Sequence, residues 1–147
     1  YKVIIIFLLI ILILCFFLPK NICEKSDSIR IDRIVYNNQF GSDANEYNRI
    51  EIKNFNSVEI IECISTYKSY LTLISATGYQ LKNSEIEVFL TINGKGKHIV
   101  LGSINYEIGS NGMLRRNIID ANTLTKELKS LLKLNNLKGD MSNEESN

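Results

Sequence analysis

The run VIIIFLLIILILCFFL, Val3 to Leu18, carries no polar side chain apart from Cys15. A helix that is apolar all round is stable only where its whole circumference leaves water, in a protein interior or in a bilayer. Its sixteen positions exceed the roughly 7 to 15 of a signal-peptide core and fall short of the ~20 of a membrane span. With Tyr1, Pro19 and Ile22 added, and the stems of Lys2 and Lys20 snorkelling, a helix rising ~1.5 Å per residue reaches across a ~30 Å core if the bilayer thins. The residues that follow, Pro19-Lys20-Asn21-Ile22-Cys23-Glu24-Lys25-Ser26, offer no pair of small residues for a signal peptidase. Leu14 precedes Cys15 and Ile22 precedes Cys23, so neither cysteine has the small neighbour that lipidation needs. Residues 1–22 are therefore expected to be a retained signal-anchor, with a cleaved signal peptide as the alternative.

Orientation rests on charge. Lys20, Lys25, Arg30 and Arg33 follow the run and Lys2 precedes it, a balance that by itself holds the domain in the cytoplasm. The first residue is Tyr1 rather than Met, so upstream residues are expected and weigh on that count. A single N-terminal signal-anchor before a polar domain favours the opposite side. The expectation is a cell-membrane protein, single-pass, with its domain extracytoplasmic; release by cleavage would make it secreted.

Between this run and the polar tail, residues 135–147, about 110 residues remain, enough for one hydrophobic core. Residues 23–134 are read as a single domain. Seventeen Lys plus Arg against sixteen Asp plus Glu leave a net charge of +1, which gives no global attraction toward nucleic acid. Ile29–Asn37 and Arg49–Asn54 alternate as strands, joined by the loop QFGSDANEY. Asn56 with Glu59 three residues on forms a capping box, and Phe55 is placed to staple Ile60. Ile60, Ile61, Ile64, Tyr67 and Leu71 then follow helical spacing, while residues 71–81 fit either a helix or a strand. Glu85–Ile92 alternates, Asn93-Gly94-Lys95-Gly96 turns the chain, and His98–Ile108 returns as one strand interrupted at Gly102. Met113–Ile119 reads as a further strand. Thr123–Leu134 reads as a helix with a stripe of Leu124, Leu128, Leu131 and Leu132. The predicted fold class is α+β: a hydrophobic helix, then a mainly antiparallel sheet of about five strands with two helices on one face.

The segments IDRIVYNN, RIEIKNFNSVEIIECI, EIEVFLTINGKGKHIVLGSI and TLTKELKSLL give an order that resembles small exported or membrane-anchored bacterial domains of unknown function, in which a leader precedes β-β-α-β-β-β-α. The resemblance covers Ile31 to Leu132 with gaps and implies location and architecture; it brings no catalytic residues.

Chemistry has few candidates. A Cys-His nucleophilic pair would have to be Cys63 with His98, the only histidine, and the plainer reading of Cys63 is a small hydrophobe at the edge of the core. Glu85 and Glu87 share a strand parity and form the one carboxylate pair singled out. Cys23 and Cys63 are the candidate disulfide, open only to a domain outside the cell. No CxxC or HxxxH is present, so no metal or cofactor is expected. Ser42-Asp43-Ala44-Asn45-Glu46 lacks the glycine and the length of a calcium loop. Lys95, Lys97, His98, Arg115 and Arg116 are expected to gather as a basic patch suited to anionic headgroups or an acidic partner. Tyr67, Tyr70 and Tyr79, with Tyr36, Phe40 and Tyr47, are the candidate recognition aromatics. Nucleic acid is not an expected partner, because aromatic residues do not interleave with the basic ones. The expected function is a noncatalytic, membrane-tethered module that binds a protein or another envelope component.

Overall fold

The structure, a computed structural model, describes residues 2–37, 49–72, 84–102, 105–109 and 115–134. The apolar run forms α1, Lys2–Phe17. Eight strands follow among the described residues: β1 Lys20–Asn21, β2 Ile29–Asn37, β3 Arg49–Ile52, β4 Lys68–Leu71, β5 Ser84–Ile92, β6 Lys95–Gly102, β7 Tyr106–Gly109 and β8 Arg115–Ile118. Two more helices, α2 Ser57–Ser65 and α3 Ala121–Leu131, complete the fold. The strands form one antiparallel sheet in the order β1-β4-β8-β7-β6-β5-β2-β3.

The expected α+β class with an antiparallel sheet is what the structure has; the expected five strands are eight. Three departures account for the difference. The helical stripe drawn through Tyr67 and Leu71 stops at Ser65, where the Ser65 and Thr66 hydroxyls donate to the carbonyls of Glu62 and Cys63 at 2.8 Å. After that stop Ser69 and Leu71 are buried and Lys68 and Tyr70 exposed, the period of a strand. The single strand drawn over His98–Ile108 is two, β6 and β7, with the Asn105 side chain accepting from the Gly102 N–H at 2.9 Å where β6 ends. Finally, two residues after α1 pair with β4 as β1, Lys20 opposite Ser69 and Asn21 opposite Lys68.

α2 starts where the capping box placed it. Asn56 Oδ1 accepts from Val58 N at 3.1 Å and Glu59 N at 3.5 Å, and its amide donates to Glu59 Oε1 at 2.7 Å. The β5–β6 hairpin turns on Asn93 at φ 49° and Gly94 at φ 77°, the two left-handed residues of a type I′ turn. Ile60 and Ile64 of α2, with Leu124 and Leu128 of α3, pack on Ile34, Ile86, Val88, Leu90, Ile99 and Leu101 from one face of the sheet.

Ile22 and Cys23 belong to that same core, 1% and 3% exposed. The chain after α1 thus packs into the core of the sheet domain. No helix among the described residues is long and apolar enough to cross a membrane. α1 has 16 residues, and at ~1.5 Å each they fall ~6 Å short of a ~30 Å core. Its side chains from Val3 to Leu14 are nevertheless exposed, Val3 by 78% and Ile11, the least of the large ones, by 41%.

Candidate functional site

Pairing registers sort the polar residues onto the two faces of the sheet, because directly opposed residues share a face. On the face away from α2 and α3, Arg33 opposes Phe89, Phe89 opposes His98, His98 opposes Ile108 and Ile108 opposes Arg115. The planar groups stack: Phe89 and His98 ring centroids are 4.1 Å apart with 12° between planes, and the Arg33 guanidinium lies 4.3 Å from the Phe89 centroid. The next row holds Val35, Glu87, Val100 and Tyr106. Glu87, 2% exposed, is its hub. Its carboxylate accepts from Arg49 Nη2 at 2.9 Å, from Ser84 Oγ at 2.9 Å and from His98 Nε2 at 3.1 Å. Burial alone would raise the Glu87 carboxyl; the hydrogen bonds from His98 and Ser84 and the charge of Arg49 outweigh it and hold the group below its ordinary range. A carboxylate satisfied in this way is an acceptor only, and it holds the His98 imidazole and the Ser84 hydroxyl on its two oxygens.

On the helix face a second buried carboxylate, Glu107, lies opposite Ile99 and Arg116. Lys97 Nζ is 3.1 Å and Arg116 Nε 3.4 Å from its oxygens, and the buried Ser69 hydroxyl donates to it at 2.7 Å. Lys97 also donates to the Ile22 carbonyl at 2.5 Å. This cluster ties the segment after α1 to the middle of the sheet. Beside it opens a cleft of 460 Å³ whose lining includes Lys20, Asn21, Glu24, Asp27, Lys95 and Lys97.

The basic residues singled out in the sequence are therefore divided. His98 and Arg115 stand on one face, Lys97 and Arg116 on the other, and Lys95 is exposed beside the hairpin turn. Adjacent residues of one strand point to opposite faces, which separates both 97 from 98 and 115 from 116.

Of the candidate aromatics, Phe40, Tyr47 and Tyr79 lie outside the described residues. Tyr36 is buried in the core, Tyr67 packs half-buried against it, and Tyr70 is exposed on β4. β2 and β4 are five inter-strand steps apart, about 24 Å at ~4.8 Å each, so Tyr36 and Tyr70 share no surface.

Cys63 and His98 are not brought together: His98 is on the far face, while the Cys63 thiol donates to Glu127 of α3 at 3.3 Å. Burial, then the Glu127 carboxylate, pushes that thiol up to about 12, the reverse of what a nucleophile needs. Cys15, Cys23 and Cys63 are all free, the candidate pair Cys23 and Cys63 included. Glu85 and Glu87 also part. The register shifts between Ser84 and Ile86, and this bulge turns Glu85 toward Lys129 of α3, with which it forms an ion pair. Sequence reasoning missed both carboxylate hubs; the signal was a glutamate with apolar neighbours on both sides within a strand, in IEVF and in YEIG. The described residues contain no group of three or more His, Cys, Asp or Glu arranged to hold a metal. In comparisons with known proteins, no family model, no curated protein and no solved structure matches the chain.

Proposed function

We propose that the chain is a membrane-tethered, noncatalytic binding module, its sheet domain held on the extracytoplasmic side by α1. One observation carries this reading. α1 is apolar around its whole circumference and exposed along its length, and a helix with that surface finds a partner in a bilayer when the domain does not cover it. The ~6 Å between its length and a ~30 Å core is of a size that bilayer thinning accommodates at a modest cost. The noncatalytic part is supported by the separation of Cys63 from His98 and by the saturation of Glu87 with structural hydrogen bonds. The alternative, a secreted domain freed by cleavage, is limited by Ile22 and Cys23, whose burial requires any cut to fall before them.

The test is to express the tagged chain in a bacterial host, wash the membranes with alkaline carbonate, and probe intact cells with a protease. Retention in the washed membrane with a tag open to external protease is the expected result. A mature N-terminus beyond Leu18, or release by carbonate, would refute the tether.

A further inference from the structure

The cleft beside β1 sits where a lipid headgroup would be, and we infer that it binds the phosphate of anionic phospholipids through Lys20 and Lys95. The inference rests on the tether reading and deepens it. Only Leu18 and Pro19 separate the last residue of α1, Phe17, from the first of β1, Lys20. Three Cα steps of at most ~3.6 Å span no more than about 11 Å. Even that slack is partly used, because Leu18 N still donates to Leu14 O at 3.2 Å and so prolongs the helix. The polar layer outside each side of a hydrocarbon core is about 5 to 8 Å thick. An α1 that is in the bilayer therefore leaves Lys20 in or just outside the headgroups.

The cleft cannot swing away from that level. Lys20 and Asn21 pair with β4, the Ile22 N–H donates to Tyr67 O at 3.1 Å, and Lys97 holds the Ile22 carbonyl. The hairpin that carries Lys95 is fastened to the same strap: Asn93 donates to Asp27 Oδ1 at 2.7 Å and accepts from Ser28 N at 2.9 Å. Three ammonium groups line the cleft against two carboxylates, and the groups are not equally committed. Lys97 is held by Glu107. Asp27 already accepts from Asn93 and from the Glu24 N–H at 2.8 Å. Lys20 and Lys95 are both exposed and both line the cleft, one on the strap and one on the hairpin, which offers two cations to an anionic headgroup.

The experiment uses the full chain in lipid nanodiscs and follows the backbone amides of Asn21, Gly94 and Gly96 by NMR as phosphatidylglycerol replaces phosphatidylcholine. These amides are expected to shift with the anionic fraction. Lys20→Gln/Lys95→Gln should weaken that response about 30-fold, from two lysines near an anionic surface, while Lys20→Arg/Lys95→Arg retains it. Amides that ignore the lipid exchange, or a double glutamine variant that responds like the parent, would overturn the inference. Equal shifts on adding inorganic phosphate to phosphatidylcholine discs would overturn it in favour of a site for free phosphate. Comigration of the chain with the discs is read separately: a chain that does not enter them refutes the tether, and one that enters but does not respond refutes the headgroup site alone.

Discussion

Replacing Glu87 by alanine is expected to destabilise the domain by about 2 to 4 kcal/mol. Three hydrogen bonds end on its carboxylate, two of them from Arg49 and His98, and bonds to a charged group contribute about 1.5 to 3 kcal/mol each. They do not sum. The Arg49 and His98 side chains are 41% and 23% exposed, so their donors recover water in the variant, whereas the buried Ser84 stays shielded. Cutting one member out of a fully buried pair costs about 3 to 5 kcal/mol, and this partly solvated hub belongs below the top of that range. Urea unfolding of the full chain in detergent micelles at pH 7, followed by circular dichroism, should show the midpoint falling by about 1 to 2 M at an unchanged slope. The pH dependence supplies an internal control. Because the folded carboxyl lies below its ordinary 4.5, its contribution is complete above that value and is lost as pH falls through the folded pKa. The gap between the parent and Glu87→Gln should therefore close as pH falls below the ordinary 4.5 and through the lowered folded pKa. A Glu87→Ala variant within about 0.5 kcal/mol of the parent, or a gap that does not change with pH, would refute this account of the hub.

Three further outcomes follow from the same structure. Asn56→Ala removes the acceptor for Val58 N and Glu59 N and should cost about 1 kcal/mol, measured by the same unfolding assay. Leu128→Ala, at a position with no exposure, should cost about 2 to 5 kcal/mol. Alkylation after unfolding without reductant should modify all three cysteines, while in the folded chain at pH 8 Cys63, with its thiol pushed up to about 12, should react far more slowly than a free model thiol.

Elements with local signals were legible in the sequence. The Asn56–Glu59 box, the Asn93-Gly94 turn and the leucine stripe of α3 each depend on neighbours a few residues apart, and each stands where the pattern put it. What failed depended on distant partners. β1 is two residues long and exists only because β4 offers it an edge. Ser69 lies within the stretch given helical spacing through Leu71, and its partners Glu107 and Arg116 come from other strands. The bulge beside Glu85 lies opposite Gly102 on the neighbouring strand, so strict alternation within the segment itself placed Glu85 and Glu87 together when the fold parts them. Basic residues next to one another at 97–98 and 115–116 suggested a patch, and strand geometry divides such neighbours between faces. The candidate sites, two carboxylate hubs and a cleft at the root of α1, are assembled from six strands and the strap that carries β1, and no window along the chain contains them.

The most direct test of the tether is hydrogen exchange on the full chain in lipid vesicles, comparing the amides of Val3–Leu14 with those of β5 and β6. If α1 lies in the bilayer, its amides should be protected in vesicles at least as strongly as the sheet, and an Ile10→Lys/Ile13→Lys variant should lose that protection while the sheet keeps its own. Rapid exchange throughout α1 in the parent chain, with the sheet intact and vesicles present, would contradict the account.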